Sequence, residues 1–184
     1  MPTQTQAHNP TRLSPNGHNV VAVRLEQRTY ALPLQSVVQI IPIAAITSLP
    51  QAHPAIEGIL NFRGQAVLVI NMRRYLHLPE ARPNLYTPIV LVQIAERMVG
   101  LIVDEVLDVT AVQQERVARL ADILPEGLGK LPILQGLTHT DSGAMLLLNL
   151  EHLFGPEQAR LLSTALESLD AQELPELQPE MAGG

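Results

Sequence analysis

Asp104 and Glu105 are adjacent acids at the end of an apolar run, and paired carboxylates are one arrangement that performs acid–base chemistry. Such chemistry needs a pocket, a perturbed pKa and a second reacting group. The sequence around the two acids offers no candidate for any of these. We therefore interpret Asp104 as a residue that forms a turn or a hydrogen bond, and we predict no catalytic residue.

Metal-binding and nucleophilic side chains are the next source of chemistry. Cysteine is absent, which excludes disulfides, thiolate metal sites and cysteine nucleophiles. The six histidines, at positions 8, 18, 53, 77, 139 and 152, show neither H-x-x-x-H nor H-E-x-x-H spacing. No G-x-S-x-G, Walker A or G-x-G-x-x-G pattern occurs. We predict no metal ion, no cofactor and no enzymatic activity.

Arg63 is our first candidate for a side chain that contacts a partner. It follows a predicted strand and precedes Gly64, and its guanidinium can form a forked contact with a carboxylate. That carboxylate belongs either to a partner or to the chain itself, where Arg63 would only shape its loop; the sequence leaves both open. Gly58 and Gly64 are most simply positions of positive φ or close backbone approach, and Asn61 can cap the turn through its amide.

The composition predicts a folded, soluble protein that does not bind nucleic acid. Of 184 residues, 46% are hydrophobic, which is enough to fill a core. The formal net charge is −6, Lys130 is the one lysine and the arginines are scattered, so a basic face is missing. The first 20 residues lack the basic segment followed by an apolar segment that a signal peptide has. No apolar run approaches the ~18 residues of a membrane span. We expect a cytoplasmic protein without direct membrane insertion.

Short β-rich runs separated by turn residues recur along the chain, a pattern that favours an all-β barrel or sandwich. We predict hairpins within 20–33, 89–103 and 136–148, with bends at Glu26-Gln27-Arg28, Glu96-Arg97 and Asp141-Ser142-Gly143. Further strands are predicted at 37–43, 65–70 and 106–109, and a turn of helix at 72–76. The run 65–70 is apolar almost throughout, as in a strand buried on both faces. Val37 and Val38 face opposite sides of their strand, and the sequence leaves open which one belongs to the core.

The chain divides into four predicted parts. Residues 1–18 and 173–184 lack periodicity and are predicted to be disordered. Residues 19–154 form the ordered domain, with a connector between two halves near 78–88, an ambiguous segment at 113–120 and a surface loop at 121–132. A helix is predicted over 155–172, where Pro156 suits the first turn and leucines form an apolar stripe.

Several motifs occur in a set order between residues 20 and 154, and together they resemble one family. Gly58-Ile59-Leu60-Asn61-Phe62-Arg63-Gly64 resembles the G-[VI]-x-N-[LF]-R-G signature of the CheW-like family. Residues 30–34 with Val37 and Ile40 are similar to its YALPL…V.EI segment, and residues 47–52 to its T.LP.AP stretch. Residues 100–106 resemble GL.VD.V, and Gly136 followed by residues 146–150 resembles G…ILLD…LL.

The resemblance implies a mainly β fold, with two SH3-like five-stranded β-barrel lobes and a few short helices. It also implies a non-catalytic adaptor that couples chemoreceptors to the regulatory domain of a CheA-type histidine kinase, for chemotaxis or type IV pilus motility. One lobe would contact the kinase domain, and a groove between the lobes would accept the helical cytoplasmic tip of the receptor. The residues expected at the partner-binding surface are Val37, Val38, Gln39, Ile40, Asn61, Arg63 and Gly64. Those expected to support the fold are Gly58, Gly100, Asp104 and Gly136.

Four positions depart from the family pattern. Gln39 stands where a Glu would be a natural mate for Arg63, so a clamp between them would be weaker or moved to another acid. Leu68 stands where Pro is common, and Asn71 and Asn149 stand where Asp is common. These departures leave open whether the pathway is flagellar chemotaxis or a related system such as type IV pilus motility. Two alternative functions also stay open: a module that regulates a kinase without a receptor, and a β-barrel that binds a small ligand between its lobes.

Overall fold

The computed structural model describes residues 17–50, 52–123 and 132–155. Strands dominate these residues, and the helices are short. The strands are β1 (Gly17–Leu25), β2 (Arg28–Pro33), β3 (Val37–Pro42), β4 (Ile56–Phe62), β5 (Gln65–Asn71), β6 (Pro88–Ile94), β7 (Arg97–Ile102), β8 (Glu105–Gln113), β9 (Ala118–Arg119), β10 (Leu134–Thr140) and β11 (Gly143–Leu148). The α-helices are α1 (Met72–Tyr75) and α2 (Leu120–Ile123), and 3-10 turns span Leu34–Ser36, Gln114–Arg116 and Leu150–His152.

The strands form two sheets, which confirms the prediction of a mainly β fold with two lobes. The first sheet has the order β8-β1-β2-β11-β10-β9, and the second sheet has the order β3-β6-β7-β5-β4. Neighbouring strands are antiparallel except for the parallel pairs β2 with β11 and β5 with β7. The first sheet has six strands instead of the predicted five, because the two-residue strand β9 pairs with β10.

Central strands are apolar on both faces because they separate two different cores. On β5, Leu68 and Ile70 face a cluster that contains residues of both sheets, whereas Val67 and Val69 face the interior of the second sheet. This division follows from the two-residue period of a strand. The buried side chains of β1 in the first sheet and of β6 in the second sheet likewise alternate between two clusters. The prediction of a strand buried on both faces at 65–70 is confirmed.

Each predicted hairpin forms, and its loop has two residues. The loops are Glu26-Gln27, Ala95-Glu96 and Asp141-Ser142. Three residues that the sequence assigned to the bends are therefore the first residues of the following strands: Arg28, Arg97 and Gly143. The short helix predicted after β5 is confirmed as α1.

The segment 78–88 was predicted to connect two halves of the domain, and the topology corrects this. The segment leads from α1 to β6, and both β6 and the preceding strand β5 belong to the second sheet. The chain passes between the sheets elsewhere: at the 3-10 turn between β2 and β3, and at Val103-Asp104 between β7 and β8. A proline-rich composition marks a loop, but it does not show whether the flanking strands share a sheet.

Several predicted boundaries shift. β1 includes Gly17 and His18, which pair with the end of β8, so the first strand begins before the predicted domain boundary. The ambiguous segment 113–120 contains a 3-10 turn and β9, and α2 occupies the start of the predicted loop 121–132. Residues 156–172 of the predicted helix, the tail and residues 1–16 lie outside the described residues. Within the described ranges, no helix is long and apolar enough to cross a membrane.

Candidate partner-binding surface

The loop between β4 and β5 holds Arg63 in a defined backbone conformation. Phe62 pairs with Gln65, so the loop consists of Arg63 and Gly64, with φ of 54° and 82°. Two successive left-handed residues form the tight turn whose twist matches the flanking strands, and glycine adopts that conformation without steric cost. The side-chain oxygen of Asn61 accepts a hydrogen bond from the Gly64 N–H at 2.9 Å, as its predicted capping role requires.

The Arg63 side chain lies over its neighbour and reaches toward β3. Its guanidinium carbon is 4.9 Å from the centre of the Phe62 ring, and Nη2 donates to Gln39 Oε1 at 3.4 Å. That hydrogen bond is long, exposed and made to a neutral amide, so it contributes little stability. None of the ion pairs among the described residues involves Arg63. The charge of Arg63 is therefore available to a partner.

β3 is an edge strand, and its register with β6 shifts between Val37 and Gln39. Val37 packs against the cluster shared by both sheets and Ile41 against the interior of the second sheet. Val38 is 50% exposed and Ile40 44% exposed, so the exposed set is the one that contains these two residues. Large apolar side chains exposed together on an edge strand are typical of a protein-contact site. We call Val38 and Ile40 the β3 face.

The seven residues predicted at the partner-binding surface have different environments. Val37 is partly buried against the core, and Val38 and Ile40 form the β3 face. Gln39 and Arg63 contact each other, and Asn61 and Gly64 hold the turn. Successive side chains of a regular strand point to opposite sides, so Gln39 lies on the other side of β3 from Ile40. The structure thus brings Gln39 and Arg63 together, but it does not join them and the β3 face into one patch.

Three of the predicted structural residues are glycines that stand where a side chain would collide. A Cβ on Gly58 would lie 2.2 Å from the carbonyl oxygen of Thr47, and Gly58 has φ of 148°. The close approach allows Thr47 and Ile59 to exchange two backbone hydrogen bonds of 2.8 Å, which pairs the chain beyond β3 with β4. Cβ atoms on Gly100 and Gly136 would lie 2.9 Å and 2.8 Å from neighbouring side-chain atoms.

Asp104 accepts three short hydrogen bonds at the junction between the two sheets. Arg73 Nε donates to Oδ1 at 2.7 Å, Arg73 Nη2 donates to Oδ2 at 2.6 Å, and the Glu26 N–H donates to Oδ2 at 2.6 Å. Glu26 lies in the β1–β2 loop of the first sheet, whereas Arg73 lies in α1, directly after β5 of the second sheet. The carboxylate therefore ties the sheets together, in agreement with its interpretation as a hydrogen-bonding residue. We call this contact the Arg73–Asp104 clamp.

Sequence reasoning missed Arg73 as the partner of Asp104, although a signal was present. β5 and β7 are parallel, with Asn71 opposite Ile102. Continuing that register by two residues places Arg73 beside Asp104. The signal is readable only when β5 and β7 are known to be parallel neighbours, and an apolar run does not reveal the direction of its partner.

The clamp shifts the pKa of both side chains. Burial alone raises the pKa of Asp104, but the hydrogen bonds from Arg73 and the Glu26 N–H, together with the Arg73 charge, outweigh burial and lower it. The pKa of Arg73 is raised, chiefly by its hydrogen bonds to Asp104. Both side chains therefore stay charged at neutral pH, whereas a general acid or base has a pKa close to the working pH.

Asn71, one of the departures from the family pattern, is buried and uses both ends of its amide. Its Oδ1 accepts the backbone N–H groups of Arg73 and Arg74 at 3.1 and 3.3 Å, which caps α1. Its Nδ2 donates to Glu57 Oε2 at 3.2 Å, and Arg74 Nη1 binds the same oxygen at 3.1 Å. An aspartate at this position cannot donate to Glu57, so the amide suits this network.

A cleft beside the clamp bears on the small-ligand alternative. Its free volume is about 30 Å³, and its lining residues are Asn71, Arg73, Ala81, Arg82, Pro83, Thr87, Ile102 and Asp104. That volume holds about one water molecule, whereas ligand pockets measure roughly 300 Å³ or more. This cleft is therefore too small to be the pocket that the alternative requires.

A family model described as the CheW-like domain matches residues 19–158. Chemotaxis protein CheW of Bacillus subtilis is 31% identical over 62% of this chain and 70% of its own length. Chemotaxis protein CheW of Treponema pallidum is 23% identical over 88% of this chain and 96% of its own. A crystal structure of the scaffolding protein TtCheW from Thermoanaerobacter tengcongensis aligns with a TM-score of 0.67 at 24% identity, covering 75% of this chain and 92% of that one. The structural likeness is evidence for the fold alone.

Proposed function

Because the chain belongs to the CheW-like family, we propose that it is a non-catalytic cytoplasmic adaptor that couples chemoreceptors to the regulatory domain of a CheA-type histidine kinase. The observation that carries this proposal is the family match over residues 19–158. Two relatives that are named chemotaxis proteins support it. The output of the pathway, chemotaxis or type IV pilus motility, is part of the same proposal.

The β3 face supplies one partner contact in this proposal. Val38 and Ile40 expose apolar surface on an edge strand whose outer backbone groups face away from β6. A partner that covers the β3 face removes this surface from water, which stabilises the complex by about 25 cal/mol per Å² of apolar area. Arg63, which takes part in none of the ion pairs among the described residues, adds a charge beside Gln39.

The absence of catalysis is proposed from the state of the polar residues beside the cleft. Arg73 and Asp104 are both committed to the clamp and keep their charges at neutral pH. A carboxylate in that state is a poor proton donor and a weak base at neutral pH. The hydrogen bonds of Asp104 instead hold the two sheets together.

Calorimetric titration tests the proposal. The full chain is titrated with the regulatory domain of a chemosensory kinase from the same genome and, separately, with a cytoplasmic receptor fragment. We expect a Kd of about 1 μM or tighter for the native chain with both. Val38→Glu is expected to weaken one of the two complexes at least about tenfold, because it places a charge on the β3 face. Arg63→Glu tests whether the Arg63 guanidinium contributes to the affinity for either partner.

Ile123→Glu is the matched control, because Ile123 on α2 is 51% exposed and Val38 is 50% exposed. This variant should bind both partners as the native chain does. Native binding to neither partner would refute the coupling role. Native binding to the kinase domain alone would favour the alternative in which the chain regulates a kinase without a receptor.

A further inference from the structure

Leu85 and Tyr86 are the most exposed large hydrophobic side chains among the described residues. Leu85 is 82% exposed and Tyr86 91% exposed, whereas the next most exposed, Ile123, reaches 51%. The tyrosine is notable because the sequence contains only three, and Tyr30 is buried at 3% exposure while Tyr75 is half-buried. Large apolar side chains that no part of the described chain covers are candidates for a contact with another molecule.

A closed turn presents these two side chains. The Thr87 N–H donates to the Asn84 carbonyl oxygen at 2.9 Å, which makes Leu85 and Tyr86 the central residues of a four-residue turn. Asn84 reinforces it: its N–H donates to Thr87 Oγ1 at 2.8 Å, and its Oδ1 accepts the Tyr86 N–H at 2.8 Å. We call residues 84–87 the Leu85–Tyr86 turn.

Both ends of the surrounding loop are attached to the second sheet. The Ile43 N–H donates to the Thr87 carbonyl oxygen at 2.9 Å, directly after β3. At the other end, Arg73 Nη1 donates to the Pro79 carbonyl oxygen at 2.6 Å, and Arg74 pairs with Glu80 at 2.9 Å. A loop ordered in this way loses little conformational freedom when it binds, so its exposed side chains contribute more of their contact energy to affinity.

A positive charge accompanies the turn. Arg82 is exposed, and none of the ion pairs of the described residues involves it. A matching surface on a partner therefore needs an apolar depression for Leu85 and Tyr86 and a carboxylate at its border for Arg82. A convex turn fits a concave surface, which a folded domain offers and a slender helical hairpin does not.

On the basis of the proposed function, we infer that the Leu85–Tyr86 turn is a second docking element, separate from the β3 face, which inserts into an apolar pocket with an acidic border on the kinase regulatory domain. Tyrosine in a desolvated pocket is among the side chains that contribute most to protein interfaces. A lipid surface is a poorer match, because the chain carries a net charge of −6 and the loop has one free arginine. Self-association through the turn is a rival that the experiment separates.

The test uses the full chain and the double variant Leu85→Ser/Tyr86→Ser. Both side chains are exposed and the turn is closed by other groups, so the variant should fold as the native chain does. We expect it to bind the kinase regulatory domain at least about tenfold more weakly and to bind the receptor fragment unchanged. Ala81→Ser, exposed on the same loop, is the matched control and should change neither titration.

The outcomes separate this inference from the proposed function. If the native chain binds neither partner, the proposed function fails and the inference fails with it. If the native chain binds the kinase domain and the double variant binds it equally well, the inference alone is overturned. It is also overturned if the double variant loses only binding to the receptor fragment, to anionic lipid vesicles or to a second copy in sedimentation velocity.

Discussion

Replacing Asp104 by asparagine tests the Arg73–Asp104 clamp with little change of shape. The carboxylate accepts two hydrogen bonds from Arg73 and one from the Glu26 N–H. Hydrogen bonds to a charged group contribute about 1.5–3 kcal/mol each. Asparagine keeps one acceptor oxygen but turns an N–H₂ group toward donors, and the 28% exposure of the Asp104 side chain lets water replace part of the loss. We expect the free energy of unfolding to fall by about 2 kcal/mol.

Urea unfolding followed by circular dichroism measures this change. A loss of about 2 kcal/mol corresponds to a decrease of about 1 M in the urea midpoint, because slopes for chains of this size are about 2 kcal/mol per M. The slope itself should stay the same in both proteins, since the substitution removes a contact without changing the surface exposed on unfolding.

The difference between the two proteins should depend on pH in a defined direction. The pKa of Asp104 is lower in the folded state than in the unfolded chain. Its contribution is therefore fully present above the unfolded pKa of about 3.9 and is lost as the pH falls through the lower folded pKa. The native chain and Asp104→Asn should differ fully at pH 7 and converge below about pH 4.

Glu105→Gln is the matched control, one residue away. Glu105 pairs with Arg24 at 2.8 Å, but the two side chains are 54% and 47% exposed. Such surface ion pairs contribute about 0–1 kcal/mol. Equal losses for Asp104→Asn and Glu105→Gln, or a loss in Asp104→Asn that does not change with pH, would refute the assignment of the clamp as a strong tie between the sheets.

Two further substitutions restore acids at positions where the family pattern has them. Asn71→Asp places a carboxylate where an amide now donates to Glu57 at 3.2 Å. We expect the free energy of unfolding, measured in urea, to fall by about 1–2 kcal/mol at pH 7, and this loss to shrink as the acids protonate at lower pH. A neutral or stabilising effect at pH 7 would contradict the network. Gln39→Glu gives Arg63 a charged mate, and because Arg63 is exposed we expect a gain of at most about 1 kcal/mol. That gain should vanish in about 1 M salt, and persistence in salt would show that the pair is more shielded than its geometry indicates.

The elements that the sequence predicted best are those determined by local pattern. The apolar run of β5 identified a strand buried on both faces, because each face meets a different core. The short loops between Leu25 and Arg28 and between Thr140 and Gly143 were visible as polar breaks between β-rich runs. The segment before α2 stayed ambiguous because β9 has only two residues and is held by pairing with β10, which local pattern does not report.

Features that depend on pairing between distant strands could not be predicted. The exposure of Val38 rather than Val37 depends on the pairing of β3 with β6, whose register shifts between Val37 and Gln39, and alternation alone does not report that pairing. The contact of Arg73 with Asp104 depends on the parallel register of β5 and β7. The exposure of Tyr86 likewise depends on a loop that stays within the second sheet instead of passing between the lobes.

The two proposed contacts are linked by the pairing of β3 with β6, which fixes their separation. Pro42, at the end of β3, pairs with Pro88, and the Leu85–Tyr86 turn ends immediately before Pro88. The four residue-to-residue steps from Val38 to Pro42 span about 13 Å of strand, so the β3 face and the turn lie at a set spacing along one rigid pair of strands. This arrangement holds the two proposed contacts at a fixed spacing without a moving part. Arg73 supports both functions of the scaffold, because it holds Asp104 at the sheet junction and Pro79 at the start of the loop that carries the turn.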